Sequence, residues 1–245
     1  MTLAGTLPID PAVAQANERA VRRAQAAVGG VGVVPAVVLA LVGLWWLGLL
    51  VVVAGIVLAV LAPGWGEQRA VAALGARPAD PASAPRLHNV ADALAVAHGL
   101  PRPTLLLVED AAANAVTVGN GPATASLVVT TGLLEALTPI ELEGVLAHEL
   151  LRIERRDSVP ATTAAWFPPA AGWRQPDDEL ATDRSAVAMT RYPPGLAGAF
   201  DKIAAVGSTV QRPGGPLAGC WLVAEGPAAD SAVALADRAA ALREL

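Results

Sequence analysis

The strongest constraint on this chain is a gap: no charged residue occurs between Arg23 and Glu67. Within that gap, residues 28–62 form an apolar run of about 35 residues, or about 52 Å as one helix at 1.5 Å per residue. A bilayer core is about 30 Å thick and is spanned by about 20 residues. One straight helix is therefore too long, whereas two helices of about 16 residues are slightly short but tolerable where the bilayer thins. The middle of the run reads Gly43-Leu44-Trp45-Trp46-Leu47-Gly48. Paired tryptophans favour the membrane–water interface, and glycine permits a tight turn. The pattern predicts a hairpin of helices at 30–45 and 47–62, with a single tilted helix as the rival reading. Arg19, Arg22 and Arg23 precede the run, and Arg69, Arg77 and Arg86 follow it. Because basic residues accumulate on the cytoplasmic side, arginine at both ends fits a hairpin in the cell membrane with both ends, and the domain that follows, in the cytoplasm. The run starts too late and is too long for a signal peptide. Ahead of it, residues 10–27 predict a solvated, amphipathic juxtamembrane helix with Asp10 as cap and Pro11 in the first turn.

The 245 residues leave room for one medium domain beyond the hairpin, dividing the chain into 1–27, 28–65 and 66–245. A net charge of -5 offers no basic surface, which argues against a nucleic-acid partner. Cys220 is the only cysteine, so there is neither an intrachain disulfide nor a cysteine-rich zinc module.

In the third segment, Leu87, Val90, Ala91 and Leu94 mark a helix over 84–98, stopped by Gly99 and Pro101. Residues 104–109, 115–118 and 126–131 read as strands, the last two joined through Gly119-Asn120-Gly121-Pro122. Helices interrupted at Pro168-Pro169 and Pro193-Pro194 follow, and the Gly- and Pro-rich stretch 211–227 reads as a loop. The class is α+β, mostly helical with a small sheet. Thr138-Pro139-Ile140-Glu141 opens a helix over 139–157: Thr138 caps, Pro139 fits the first helical position, and Glu141 completes a capping box.

That helix carries His148-Glu149-Leu150-Leu151-Arg152. In the motif HExxH, two histidines one turn apart hold a zinc ion and the glutamate activates its water. Here the second histidine position is Arg152, and HExxR alone is no more than a polar helix face. The surroundings add more. The chain reads Asn114-Ala115, a Gly/Pro turn, a strand ending Val129-Thr130-Thr131, then Gly132-Leu133-Leu134-Glu135. It continues Glu141-Leu142-Glu143-Gly144-Val145-Leu146-Ala147-His148-Glu149-Leu150 to Arg155-Arg156-Asp157. Glu179-Leu180-Ala181-Thr182-Asp183-Arg184 follows, and Ala236-Asp237-Arg238-Ala239-Ala240-Ala241-Leu242 closes the chain. In order and spacing, residues 84–245 resemble the HtpX-like membrane zinc metallopeptidases, the family that includes the CAAX prenyl endoprotease. The resemblance implies a zincin-like (gluzincin) domain with zinc as cofactor, His148 and Glu179 as metal ligands, and Glu149 as the catalytic residue. It implies that Asp183 supports the ligands from behind, and that Asn114 and Ala115 lie on an edge strand where a polypeptide substrate adds as a further strand.

Three departures bear on those implications. Arg152 stands at a ligand position, yet a guanidinium stays protonated and has no free lone pair. Residues 158–178 are a short interval where larger members carry two more membrane helices; 161–171 is too short to span and contains Pro168 and Pro169. No histidine follows His148; Trp221-Leu222-Val223-Ala224 stands where the family often has Thr-His-Pro. Asp157 lies about 180° round the helix from His148, while Asp183 shares a helix face with Glu179 and offers a replacement ligand. His88 and His98 flank a different helix and read as ordinary surface or half-buried histidines. Zinc lowers the pKa of its bound water from 15.7 to about 7; without it Glu149 faces ordinary water. The resemblance implies zinc, and Arg152 puts its binding in doubt. The leading reading is a membrane-anchored pseudopeptidase whose groove binds a polypeptide or a membrane-protein partner. The alternatives are an active zinc endopeptidase with a rearranged ligand set and a structural membrane protein. In the leading reading Arg152 pairs with Glu179, and with Glu149, in place of the metal.

Overall fold

The computed structural model describes residues 11–173, 178–225 and 233–245; Asp10, the expected cap, and residues 226–227 of the expected loop lie outside them. Helix α1 (Pro11–Val31) continues almost directly into α2 (Val33–Leu41), and α3 (Trp45–Leu74) returns alongside. The interruption at Gly32 precedes Pro35, which has no N–H to give the Val31 carbonyl. The spans Ala12–Leu41 and Trp45–Leu74, 30 residues each, are long and apolar enough to cross a membrane. Their outer faces, from Val31 through Leu41 and Trp45 to Leu61, are bare of protein, an apolar patch far beyond what a water-soluble monomer carries.

The turn falls at 42–44, immediately before the tryptophan pair rather than within it, at the expected break between helices 30–45 and 47–62. Gly43, at φ 83°, makes it. Gly48 serves packing instead, since a Cβ there would stand 2.7 Å from the Ala36 carbonyl oxygen. Nor does α3 end at Pro63-Gly64, as the sequence suggests; it continues to Leu74 and stops at Gly75 in the left-handed region. Pro63 cannot donate to the Ala59 carbonyl four residues back. Gln25 on α1 does so instead, its Nε2 lying 3.2 Å from that oxygen, which is how proline is accommodated in helices surrounded by lipid.

Helix α1 is not the solvated helix expected. Asn17, Ala20 and Ala24 form a small stripe of one face and are buried against the domain. Asn17 Nδ2 donates to Arg155 O at 3.2 Å and to Asp157 Oδ1 at 3.4 Å, and Glu18 pairs with Arg156.

The sheet comprises β1 (Arg77–Pro78), β2 (Thr104–Val108), β3 (Ala115–Val118) and β4 (Ser126–Thr130), in the order β1-β2-β4-β3. Strands β2 and β4 run parallel, with Leu106 opposite Val128, and β3 pairs antiparallel with β4 at the edge. Two-residue β1 was not foreseen; it is too short, and too proline-bearing, to leave a periodic signal. Alternate residues face two cores: Leu105, Leu107, Leu127 and Val129 enter the larger, Leu106, Val108, Val116 and Val128 the smaller. Burial on both faces explains the unbroken apolar runs.

The larger core is covered by α4 (Pro85–His98), α5 (Thr131–Ala136), α6 (Pro139–Arg155), α8 (Glu179–Thr190), α9 (Pro193–Val206) and α10 (Leu235–Arg243), with α7 (Val159–Ala164) beside the hairpin. The α6 capping box forms as expected: Glu141 Oε2 accepts from Thr138 N at 2.7 Å. The helix ends at Arg156, whose φ of 60° is left-handed. Pro193-Pro194, read as a break, instead opens α9 within its first turn. The expected loop 211–227 is more ordered than its composition suggests, with a 3-10 turn at Gly215–Cys220 and an extended bridge at Trp221.

Candidate functional site

Helix α6 lies at the centre of the domain because Leu142, Val145, Leu146 and Leu150 are buried in the larger core. His148, Glu149 and Arg152 are carried inward with them, 1%, 0% and 2% exposed. Such burial demands compensation for each charge. His148 Nδ1 lies 2.7 Å from Asp183 Oδ1 on α8, although off the line of a straight hydrogen bond. This contact turns Nδ1 toward Asp183 and leaves Nε2 free of it, as in a metal-binding histidine braced by a carboxylate. Among the described residues Nε2 forms no hydrogen bond.

Asp183 is fully buried and receives a bidentate guanidinium. Arg238 on α10 donates Nε to Oδ2 at 2.7 Å and Nη2 to Oδ1 at 2.8 Å. Burial alone would raise the Asp183 pKa, but the hydrogen bonds from Arg238 and the close approach of His148 outweigh it and hold the carboxyl below its ordinary value. Arg238 also gives Nη1 to the Leu222 carbonyl at 2.9 Å, and its guanidinium lies 4.3 Å from the Phe200 ring centre.

Glu179 sits one turn before Asp183. Its Oε2 accepts from the Val233 amide at 3.0 Å and lies 3.9 Å from Arg238 Nη1. The expected ion pair between Arg152 and Glu179 is therefore not the one formed. Arg238, already anchored on Asp183, reaches the same face of α8 and supplies the positive charge. Arg152 Nη1 lies 3.4 Å from Glu149 Oε1, the neighbour three residues back on its own helix. Glu149 Oε2 has no hydrogen-bond partner among the described residues although it is buried.

The donors present do not fit a zinc ion. The second imidazole position is a guanidinium, one carboxylate is engaged by Arg238 and a backbone amide, and Asp183 is committed to Arg238. No three metal-ligating side chains converge among the described residues. Asp157, judged to face away from the site, contacts Asn17 and Arg155 at the far end of α6. His88 bonds the Ala79 carbonyl through Nε2 at 2.9 Å, an ordinary structural role.

Asn114 and Ala115 lie at the start of the edge strand β3, close to α6. Asn114 is fully buried. Its Nδ2 donates to Val223 O at 2.9 Å and to Ser208 O at 3.1 Å, and its Oδ1 accepts from Val223 N at 3.1 Å. Two functional features escaped the sequence reading: Arg238 as the hub of the site, and the segment around Trp221. The first left a signal, since Leu235, Arg238, Ala239 and Leu242 share one helix face and place an arginine on a buried stripe.

Comparison with known proteins covers the part of the chain that carries α6. Residues 81–168 match Peptidase family M48, and over that stretch the chain is similar to HtpX-like proteases. It is 42% identical over 100 residues to a protease HtpX homolog of Moorella thermoacetica, covering 41% of this chain and 33% of that one. It is 44% identical over 109 residues to a protease HtpX homolog of Acidiphilium cryptum, covering 44% and 38%. A protease HtpX homolog of Aquifex aeolicus is 41% identical over 110 residues, covering 44% and 36%. The matched part thus spans about a third of the length of these curated relatives. No solved structure matches the chain.

Proposed function

We propose that this chain is a membrane-anchored pseudopeptidase: an HtpX-like domain, held on the cytoplasmic side of the cell membrane by the α1–α3 hairpin, that binds extended polypeptide without cutting it. The observation that carries this reading is Arg152, buried at the position of a zinc-ligating histidine and turned toward Glu149. A guanidinium there compensates the carboxylate charge that a metal would otherwise balance, and it cannot ligate. Glu149 then has no activated water to deprotonate, and amide hydrolysis has no nucleophile. The arginines on both sides of the hairpin support the cytoplasmic placement, and the division into 1–27, 28–65 and 66–245 belongs to the same proposal. The partner is a polypeptide segment or a membrane protein presenting one.

A second reading, an active endopeptidase with a rearranged zinc site, draws on the bracing of His148 by Asp183, an arrangement suited to a ligand. The two separate in a proteolysis assay. Full-length protein in detergent micelles, supplied with zinc and an unfolded casein substrate, should release no fragments above a Glu149→Gln control. Cleavage by wild type that Glu149→Gln abolishes would overturn the pseudopeptidase reading.

A further inference from the structure

Strand β3 is an edge strand, with β4 on one side only, yet Ala115, Val116, Thr117 and Val118 are all fully buried. An edge presents unpaired N–H and C=O groups, and burying them requires a partner. The partner is the chain itself. Residues 221–223 run antiparallel to β3: Trp221 bridges to Val116, and the Leu222 amide donates to the Ala115 carbonyl at 2.7 Å. Asn114 closes the pairing by exchanging two hydrogen bonds with the Val223 backbone, at 2.9 and 3.1 Å. This is the geometry of strand addition, carried out in cis.

The segment is held on both sides. As in any strand, its successive side chains point to opposite faces: Trp221 enters the smaller core and Leu222 the larger. The Trp221 indole N–H donates to Pro213 O at 3.0 Å. The Leu222 carbonyl accepts from Arg238, the same guanidinium that grips Asp183 behind His148. The segment therefore sits on the edge that polypeptide recognition would use, one residue away from the site itself.

We propose that residues 221–223 are an internal occupant of the polypeptide-binding edge, and that the partner is an extended segment with an aromatic residue followed by a large aliphatic one, which binds by displacing them. This rests on the polypeptide-binding reading above and adds to it the class of sequence recognised and the step that gates recognition. The Trp221 and Leu222 pockets define the two side-chain requirements, and the Ala115 carbonyl and Asn114 amide define the backbone ones.

The test uses full-length protein in detergent micelles and a fluorescent peptide copying residues 217–225, with serine for cysteine. A control peptide carries serine at the positions of Trp221 and Leu222. Leu222→Pro removes the amide that bonds Ala115, and Trp221, at ψ 153°, already has the extended conformation that precedes proline. Wild type should bind the peptide weakly and Leu222→Pro at least about tenfold more tightly, the difference expected when a competing hydrogen-bonded segment is released. The control peptide should bind neither. In wild type with excess peptide, hydrogen exchange at the Leu222 and Val223 amides should accelerate. Equal, tight binding to wild type and variant would show that the segment does not occlude the edge, leaving the polypeptide-binding reading intact. Binding to neither would sink that reading itself. If Leu222→Pro does not fold, exchange in wild type decides alone: bound peptide with undiminished protection at Leu222 overturns the internal occupant, and absence of binding overturns the groove.

Discussion

Two buried carboxylates on adjacent helices meet different fates in this molecule. Asp183 on α8 is gripped by a bidentate guanidinium that is itself held by a backbone carbonyl and an aromatic ring. Glu149 on α6 is equally buried, yet one oxygen lies at 3.4 Å from Arg152 and the other has no partner among the described residues. The first is built as a structural rivet: both of its oxygens accept from one guanidinium, and removing that partner would leave a buried charge uncompensated. The second sits beside a guanidinium that leaves one of its oxygens unsatisfied among the described residues. The difference teaches that equal burial does not bring equal compensation: one carboxylate is engaged at both oxygens by its guanidinium and the other only in part.

The largest expected effect probes the rivet. Arg238→Ala should destabilise the full-length protein by about 3–5 kcal/mol, because it strands a buried carboxylate. Chemical denaturation followed by tryptophan fluorescence measures it, and a loss under about 1 kcal/mol would erase the distinction between the two sites. Neutralising the carboxylates sharpens it. Asp183→Asn should cost about 2–3 kcal/mol, whereas Glu149→Gln should stay within about 1 kcal/mol of wild type, since it removes an incompletely satisfied charge. A smaller effect concerns the hairpin. Gln25→Ala leaves the Ala59 carbonyl beside Pro63 without its donor and should cost about 1 kcal/mol, read as a lower thermal midpoint in micelles.

The smallest effect depends on pH. Burial pushes the Glu225 carboxyl above its ordinary 4.5, outweighing the hydrogen bond from the Val210 amide. A raised folded value means that the native state holds the proton more tightly than the unfolded chain does. Stability from this group is therefore greatest below pH 4.5 and falls as pH rises through the folded value. Glu225→Gln should flatten that part of the stability curve and stabilise slightly, by under about 1 kcal/mol, at neutral pH. A curve unchanged by the substitution would contradict the raised folded value.

Much of this was legible in the sequence, for identifiable reasons. The hairpin followed from a charge-free run too long for one span. The helix α6 followed from a capping box, and β2, β3 and β4 from apolar runs set between turn residues. The family resemblance rested on the order of His148-Glu149, Glu179 and Asp183 along the chain. The remainder depended on long-range partners. Nothing local indicated which of Gly43 and Gly48 would turn and which would pack. The small stripe of Asn17, Ala20 and Ala24 was compatible with solvent until α7 and the end of α6 were seen beside it. Arg152 was expected to reach Glu179, but Arg238, distant in sequence, fills that role. The strand character of residues 221–223 is absent from their Gly- and Pro-rich context, because β3 imposes it.

The central claim is that Arg152 stands where a metal ligand is missing, and zinc affinity tests it most directly. Helix α6 places positions 148 and 152 one turn apart on one buried face, so Arg152→His restores two histidines and a glutamate, a catalytic zinc ligand set. Calorimetric titration of full-length wild type and Arg152→His with zinc should show the variant binding more tightly by at least about two orders of magnitude, since loss of even a supporting residue costs 10–100-fold. Wild type binding zinc as tightly as the histidine variant would contradict the claim and return the chain to the active enzymes.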